Sequence, residues 1–361
     1  MITVAQRDAL DLVSSEAYRT LFDQAGATPF QHPIWLENFV TTLCPHRGAT
    51  PFFIAIEDAG ELIGTVPLIR RRKSGLTLLE TCDLGVSDYA APVLSPTART
   101  AFADDPSLQT AFKKSLPAHD VLRIRPVRAD HSPLWGSLLT SSPIPLGFSA
   151  HAVDLAPPFE DWRAAHLDRS FASQARRKKK RWFKQADVRL ERLSDPGAIR
   201  DAIKRLAHQR AGRFEGDPIQ QPAVADFYAS VAQEGANPSV ALAETWTMTS
   251  DGAPVGIVFG LTHRGRFHYL LIGMDYETFG RHSPGLQFYE GLIEDWMNRG
   301  GTSFDFTIGD EPFKRNYGCK PTPIVGYLQA GSWKGQAALA LLKSRLMGTT
   351  GEKQDTEDKR A

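Results

Sequence analysis

The sequence predicts an α+β protein of two similar units, each a mixed, mainly antiparallel sheet flanked by helices. Three observations carry this. Period-two strand patterns and amphipathic helical stretches both occur along the chain. The strands of each half come as hairpins closed by tight turns. The order of elements in the first half then recurs in the second. A length of 361 residues suits two domains.

The first half opens on helices over 17–25 and 34–43, the latter with Trp35, Phe39 and Leu43 at i, i+4 and i+8. Residues 52–72 read as two strands around the turn Asp58-Ala59-Gly60-Glu61. A third strand, LTLLETCDL, follows. Residues 96–118 are helical in part, and VLRIRPV (121–127) alternates again. The Ser/Pro/Gly-rich TSSPIPLGFS near 140–150 reads as a boundary or crossover.

The second half repeats this scheme. Helices are predicted over 161–186 and 196–213, three strands over 241–276, a helix over 284–298 and a strand over 302–308. A shift of 192 residues carries Gly60 onto Gly252, Ile63 onto Val255, Gly64 onto Gly256 and Val66 onto Val258. Slightly shorter shifts carry Asp88-Tyr89 onto Asp275-Tyr276, and Leu122-Arg123-Ile124 onto Phe304-Asp305-Phe306. The units are therefore placed at 1–150 and 151–347, with a polar, disordered tail over 348–361.

Composition narrows the function classes. Forty-two Lys+Arg balance 41 Asp+Glu, so no global basic excess marks a nucleic-acid binder. Apolar runs are too short to span a bilayer, and the first residues lack a cationic and apolar leader pattern. A cytoplasmic protein is expected, with at most peripheral contact at the inner membrane face. Three scattered cysteines, no C-x-x-C and no H-x-x-x-H predict neither a disulfide framework nor a metal site.

The segment before the 284–298 helix carries the most chemistry. Ser283 is a favoured N-cap, and Pro284 suits the first helical position. Gly285 leaves no side chain over the first-turn amides. Arg281 and His282 precede them, so helix start and cation together suit a phosphate. Leu286, Tyr289, Ile293, Trp296 and Met297 form the buried stripe, and Gly291 marks a close approach. The alternative is an ordinary capped helix.

Asp305 lies in a strand, where Asp is depleted. It is either solvent-facing or a paired carboxylate, with Lys314 and Arg315 as partners to hand. Asp310, Glu311, Lys314 and Tyr317 follow on a loop rich in polar chemistry. Asp88 and Tyr89 lie in a Gly/Ser/Ala-rich turn, which reads as a plain capped turn or as part of a site. His208 falls on the polar face of its helix, while His268 and Glu244 are weaker base candidates. The block Arg176–Arg181 is either a solvated helix face or a site for an anionic partner.

The run R-H-S-P-G, helix, FDF and IGDEPFKRNYG, with TPFQHPIWL (28–36) and GVSDYAAPVL (85–94), resembles the GNAT acyltransferase superfamily. It resembles in particular the CelD/BcsL-like acetyltransferases of cellulose and exopolysaccharide gene clusters, related to the two-unit Fem-type aminoacyl transferases. The resemblance covers roughly residues 28–325. It departs at Pro284, where the GNAT phosphate loop has glycine.

This resemblance implies tandem GNAT-like units and acyl transfer, acetyl in the first instance, from acyl-CoA to an amine or hydroxyl. The second unit would bind the donor through Arg281, His282, Ser283, Pro284, Gly285 and Leu286. Asp88, Tyr89 and Asp310 would face the acceptor, a small molecule or a lipid- or sugar-linked one. Asp305 and Lys314 would act at the reacting centre, and Tyr317 would protonate the departing thiolate. No metal takes part. Two alternatives stand beside it: a Fem-like transferase using aminoacyl-tRNA, the one nucleic acid expected, and a non-catalytic partner of an envelope or polysaccharide machine.

Overall fold

A computed structural model describes residues 1–341. The first half contributes β1 (Ile2–Arg7), β2 (Thr50–Asp58), β3 (Glu61–Lys73), β4 (Leu76–Thr81), β5 (Val93–Leu94) and β6 (Val121–Arg128). Then come β7 (Ile144–Asp154), β8 (Val188–Arg192), β9 (Ala243–Ser250), β10 (Ala253–His263), β11 (Arg266–Met274), β12 (Ser303–Ile308) and β13 (Lys320–Ala330).

The thirteen strands of the described residues form one sheet in the order β1-β2-β3-β4-β6-β13-β7-β12-β11-β10-β9-β8, with β5 beside β3. The order is the same from either edge. Each half lays down an antiparallel meander and then one strand parallel to its last, β4 with β6 and β11 with β12. The final strands are exchanged. β7 pairs with β12, β13 pairs with β6, and β7 and β13 pair antiparallel at the centre.

Local detail repeats as well. Ala59 and Gly60 take φ of 50° and 88° in the β2–β3 turn, and Asp251 and Gly252 take 50° and 78° in the β9–β10 turn. Two successive positive φ values give the turn that matches strand twist in a two-residue hairpin. Ile63 and Val255, equivalent in the sequence repeat, are each the extra residue of a bulge beside their hairpin.

Helices cover both faces. On one, Glu16–Gln24 and the run from Pro33 to His46 meet Pro196–Arg210 and Pro222–Gly235 in a core shared by the two halves. The other face carries two separate cores. One lies under Pro96–Asp104 and Pro106–Ser115, the other under Phe159–His166, Arg169–Gln185 and Pro284–Asn298. The narrow seam of the basic helix is buried at Ala175 and Trp182. Leu190 would lie 2.6 Å from a Cβ at Gly291, which is the close approach the sequence marks.

Some expectations change. The 140–150 stretch enters β7, so position 150 lies within a strand. The 222–235 helix and β1, β8 and β13 carry no prediction in the sequence. The tail over 348–361 lies outside the described residues.

Candidate functional site

The two parallel ladders are short. β11 and β12 pair only at Arg266–Ser303, Phe267–Phe304 and His268–Asp305, and then part. Asp305 therefore sits at the fork. It is completely buried. Its carboxylate accepts hydrogen bonds from Tyr89 Oη at 2.9 Å, Arg128 Nη1 at 2.8 Å, Arg266 Nη1 at 3.3 Å and the Thr307 amide at 2.8 Å. Two cations and two neutral donors satisfy a charge that burial alone would forbid. Tyr89 and Arg128 come from the first half, so this carboxylate joins the halves.

Its partners differ from those the sequence offers. Lys314 and Arg315 are expected, but Arg128, Arg266 and Tyr89 take the places. Lys314, nearly fully buried, donates to the carbonyls of Ile308 and Gly309 at 3.0 and 2.9 Å and pairs with Glu311 at 2.8 Å. It holds the loop rather than Asp305. Asp310 accepts from His151 Nε2 of β7 at 2.7 Å, and this bond holds its carboxyl below the usual range.

The backbone after Asp305 is strained. Thr307 takes φ 56°, a left-handed conformation that β-branched residues rarely adopt. Its amide on Asp305 and its hydroxyl on Tyr269 O at 3.0 Å hold it there. Such strain costs about 1–3 kcal/mol and clusters at functional sites. β11 also bulges, with Leu270 the extra residue between Tyr269 and Leu271.

Asp88 faces this strained turn. It keeps partial solvent access although protein surrounds it closely. Burial pushes its carboxyl up to about 7, against the pull of the Thr307 side chain, and the Asp83 and Asp305 charges add to the rise. A carboxyl near 7 suits proton abstraction at neutral pH. His268 stands beside Tyr89, ring centroids 6.1 Å apart, with Nδ1 buried and unpartnered. Burial lowers its pKa to about 3, so the ring is neutral.

Beyond the fork, Ile272, Leu286 and Phe313 stay half-buried around the wedge between β11 and β12. Tyr269, Tyr289, Phe306 and Tyr317 pack behind them, with the Tyr269 and Tyr289 hydroxyls 3.0 Å apart. Tyr317 is fully buried and its hydroxyl donates to Leu286 O at 3.4 Å. Burial raises this phenol well above its usual range, so it keeps its proton.

The start of the 284–298 helix departs from the expected cap. Ser283 is left-handed (φ 53°), and its side chain caps no amide. Its Oγ instead accepts from Lys178 Nζ at 2.6 Å, which brings the basic helix onto this turn. Pro284 has no N–H, and the amides of Leu286 and Gln287 turn back on Ser283 O. Gly285 is left to present its N–H. A Cβ on Gly285 would lie 3.0 Å from Tyr276 Oη, and Arg213 covers the Tyr276 ring at 4.3 Å.

Arg281 Nε donates to His282 Nε2 at 2.9 Å, and His282 stacks on Trp182 with centroids 4.8 Å apart. One backbone amide, Lys178 and Arg281 fit an anionic group, mainly through side chains rather than the helix end.

Other candidates fall away from the fork. Glu244 is held by Arg299, Arg192 and Trp246 Nε1 at the edge of a separate cavity of about 610 Å³. His208 is exposed. Among the described residues no group of three or more His, Cys, Asp or Glu is placed to hold a metal, and no helix is long and apolar enough to cross a membrane. Sequence reasoning missed Arg128, Arg266 and Thr307. The repeat pairs Arg123 with Asp305, which marks the fork but not these partners.

Fold and site together describe a double sheet with a forked second half. Residues 169–315 match the model of the acetyltransferase (GNAT) domain family. No curated protein matches the chain in sequence. The fold is shared with solved structures of low identity. FemX is 12% identical with a TM-score of 0.61, over 94% of this chain and 99% of that one. The C-terminal domain of a candidate lysylphosphatidylglycerol synthetase from Agrobacterium fabrum is 12% identical, TM-score 0.57, over 94% and 97%. L-PGS from Bacillus licheniformis is 12% identical, TM-score 0.54, over 94% and 98%.

Proposed function

We propose that this protein is an acyltransferase that moves an acyl group, acetyl in the first instance, from acyl-CoA to an amine or hydroxyl. The observation that carries this reading is Asp88, a carboxyl near 7 in the wall between the halves, facing the strained turn at the β11–β12 fork. The donor's phosphates lie against Gly285, Lys178 and Arg281, and its arm lies in the wedge. Asp88 takes the proton from the acceptor as nitrogen or oxygen attacks the thioester carbonyl. The tetrahedral intermediate expels the thiolate, which takes a proton from Tyr317 or water. Asp305 positions Tyr89 and Thr307 around Asp88 and does not itself react.

The acceptor is a small molecule or a lipid- or sugar-linked one. The CelD/BcsL-like resemblance points to polysaccharide or envelope biosynthesis at the inner membrane face.

Isothermal titration with acetyl-CoA and a longer acyl-CoA tests the donor, repeated on Gly285→Glu. Micromolar binding lost in the folded variant supports the reading. No binding of any acyl-CoA overturns it.

A second reading has its own support. Lys178 docks the basic helix on the Ser283 turn, so Arg176–Arg181 flank the donor end, as a charged-tRNA donor would need. Fem-type transferases use that donor. Salt-sensitive tRNA binding, reduced in Arg177→Gln/Lys180→Gln, would favour it over acyl-CoA.

A further inference from the structure

The first half holds a charged recess of about 260 Å³, lined by Arg47, Arg71, Lys73, Arg123 and Arg125. Against these five cations stand two carboxylates, Glu80 and Asp83. Glu80 is already taken, by Arg71 at 2.8 Å and Arg123 at 2.6 Å. Asp83 lies 3.8 Å from Arg125, and burial raises its pKa, which weakens its compensation further. Among the described residues, neither Arg47 nor Lys73 has a carboxylate within ion-pair distance. The Nε atoms of Arg47 and Arg123 are buried without a hydrogen-bond partner. Buried unpaired guanidinium donors are costly, so a recess that keeps them has a use for them.

Its place in the fold matters too. The parallel β4–β6 ladder ends at Glu80–Arg123, as the β11–β12 ladder ends at His268–Asp305. The recess thus occupies in the first half the fork that forms the candidate site in the second. The first fork is lined mainly with cations, whereas beyond Asp305 the second is lined with aromatic and aliphatic side chains.

We propose that this recess is a second ligand site, for a phosphate-class anion carried by a water-soluble molecule. Guanidinium groups pair phosphate oxygens two at a time, and several converge here. None of the exposed large apolar side chains lines the recess, so nothing there anchors a bilayer. The site stands apart from the acyl-transfer reading, and binding alone tests it.

The test is calorimetric titration of the full chain with inorganic pyrophosphate at about 150 mM salt, where exposed charges are screened. It is repeated on Arg47→Gln/Arg125→Gln and on Lys178→Gln, with cosedimentation on phosphatidylglycerol vesicles as the lipid arm. Saturable binding at the recess is expected, weakened about tenfold in the double variant and still present in Lys178→Gln, which removes only a component at the donor end. No saturable binding, equal binding in the double variant, or loss only in Lys178→Gln would overturn the proposal. Vesicle binding that needs Arg47 and Arg125, without pyrophosphate binding, would overturn the water-soluble ligand. If the double variant fails to fold, Lys73→Gln, exposed at the end of β3, carries the same test.

Discussion

Tyr89 and Asp305 stand 216 positions apart in the chain, and the phenol of one donates to the carboxylate of the other at 2.9 Å. The bond crosses between the halves inside a fully buried pocket, where Arg128 adds a 2.8 Å ion pair. The site is thus built from both halves at once, and its stability and its chemistry share the same atoms.

Arg128→Ala strands a buried carboxylate with Arg266 as its remaining cation, and such losses cost about 3–5 kcal/mol. Tyr89→Phe removes one hydrogen bond to a charged group, about 1.5–3 kcal/mol. Denaturant unfolding of the two variants, with m-values compared, measures both. A cost for Arg128→Ala within that of a surface substitution would contradict the network.

Asp88 gives activity and stability opposite responses to pH. Its folded pKa, about 7, is above the unfolded value, so the native state binds the extra proton between them. That contribution is complete below about pH 4 and is lost as pH rises through about 7. Asp88→Asn removes the decline and is therefore more stable than the parent, relative to low pH, at pH 8. On the proposed function, the same substitution abolishes the rise of acyl transfer through pH 7. Thermal midpoints against pH and a pH–rate profile test the two limbs separately.

The hairpins were open to sequence because their determinants are local. Asp58-Ala59-Gly60-Glu61 and Ser250-Asp251-Gly252-Ala253 carry their turns in their own residues, and the helix over 284–298 announces both its ends. β13 was hidden because Pro321 and Pro323 argue against an inner strand. Both pair with β7, at His151 and Ser149, before the β6 ladder begins at Ile324, so the missing N–H groups interrupt no bond to β6. The partners of Asp305 were hidden for another reason. Only strand exchange brings Arg128 to it, and no local pattern encodes that. The Ser283 cap failed because the residue turned left-handed and gave its hydroxyl to Lys178.

The two equivalent glycines at the bulges predict unequal penalties. A Cβ at Gly64 meets the tips of Leu94 and Ile56 at 2.9 and 3.0 Å, which can shift. At Gly256 it meets Met274 Sδ at 2.2 Å and the Gly273 carbonyl at 2.8 Å, which cannot all yield. Gly256→Ala is expected to cost about 1–3 kcal/mol and Gly64→Ala less. Equal unfolding midpoints would refute the contrast.

Lys314→Met keeps the volume and removes the charge that gathers Ile308, Gly309 and Glu311. Hydrogen exchange over 307–311 should quicken, and turnover should fall more than donor affinity. Unchanged exchange would mean that the loop holds its shape without the lysine.

The exchange of β7 and β13 also sets a timetable for synthesis. A ribosome that has released the whole first half has released a sheet whose β6 flank has no neighbour, because β13 begins at Lys320. Until those residues emerge, the nascent chain exposes an open strand edge of the kind that invites intermolecular pairing. The first half is therefore finished only by a strand made after the whole second-half meander, and its completion is a late, non-local event.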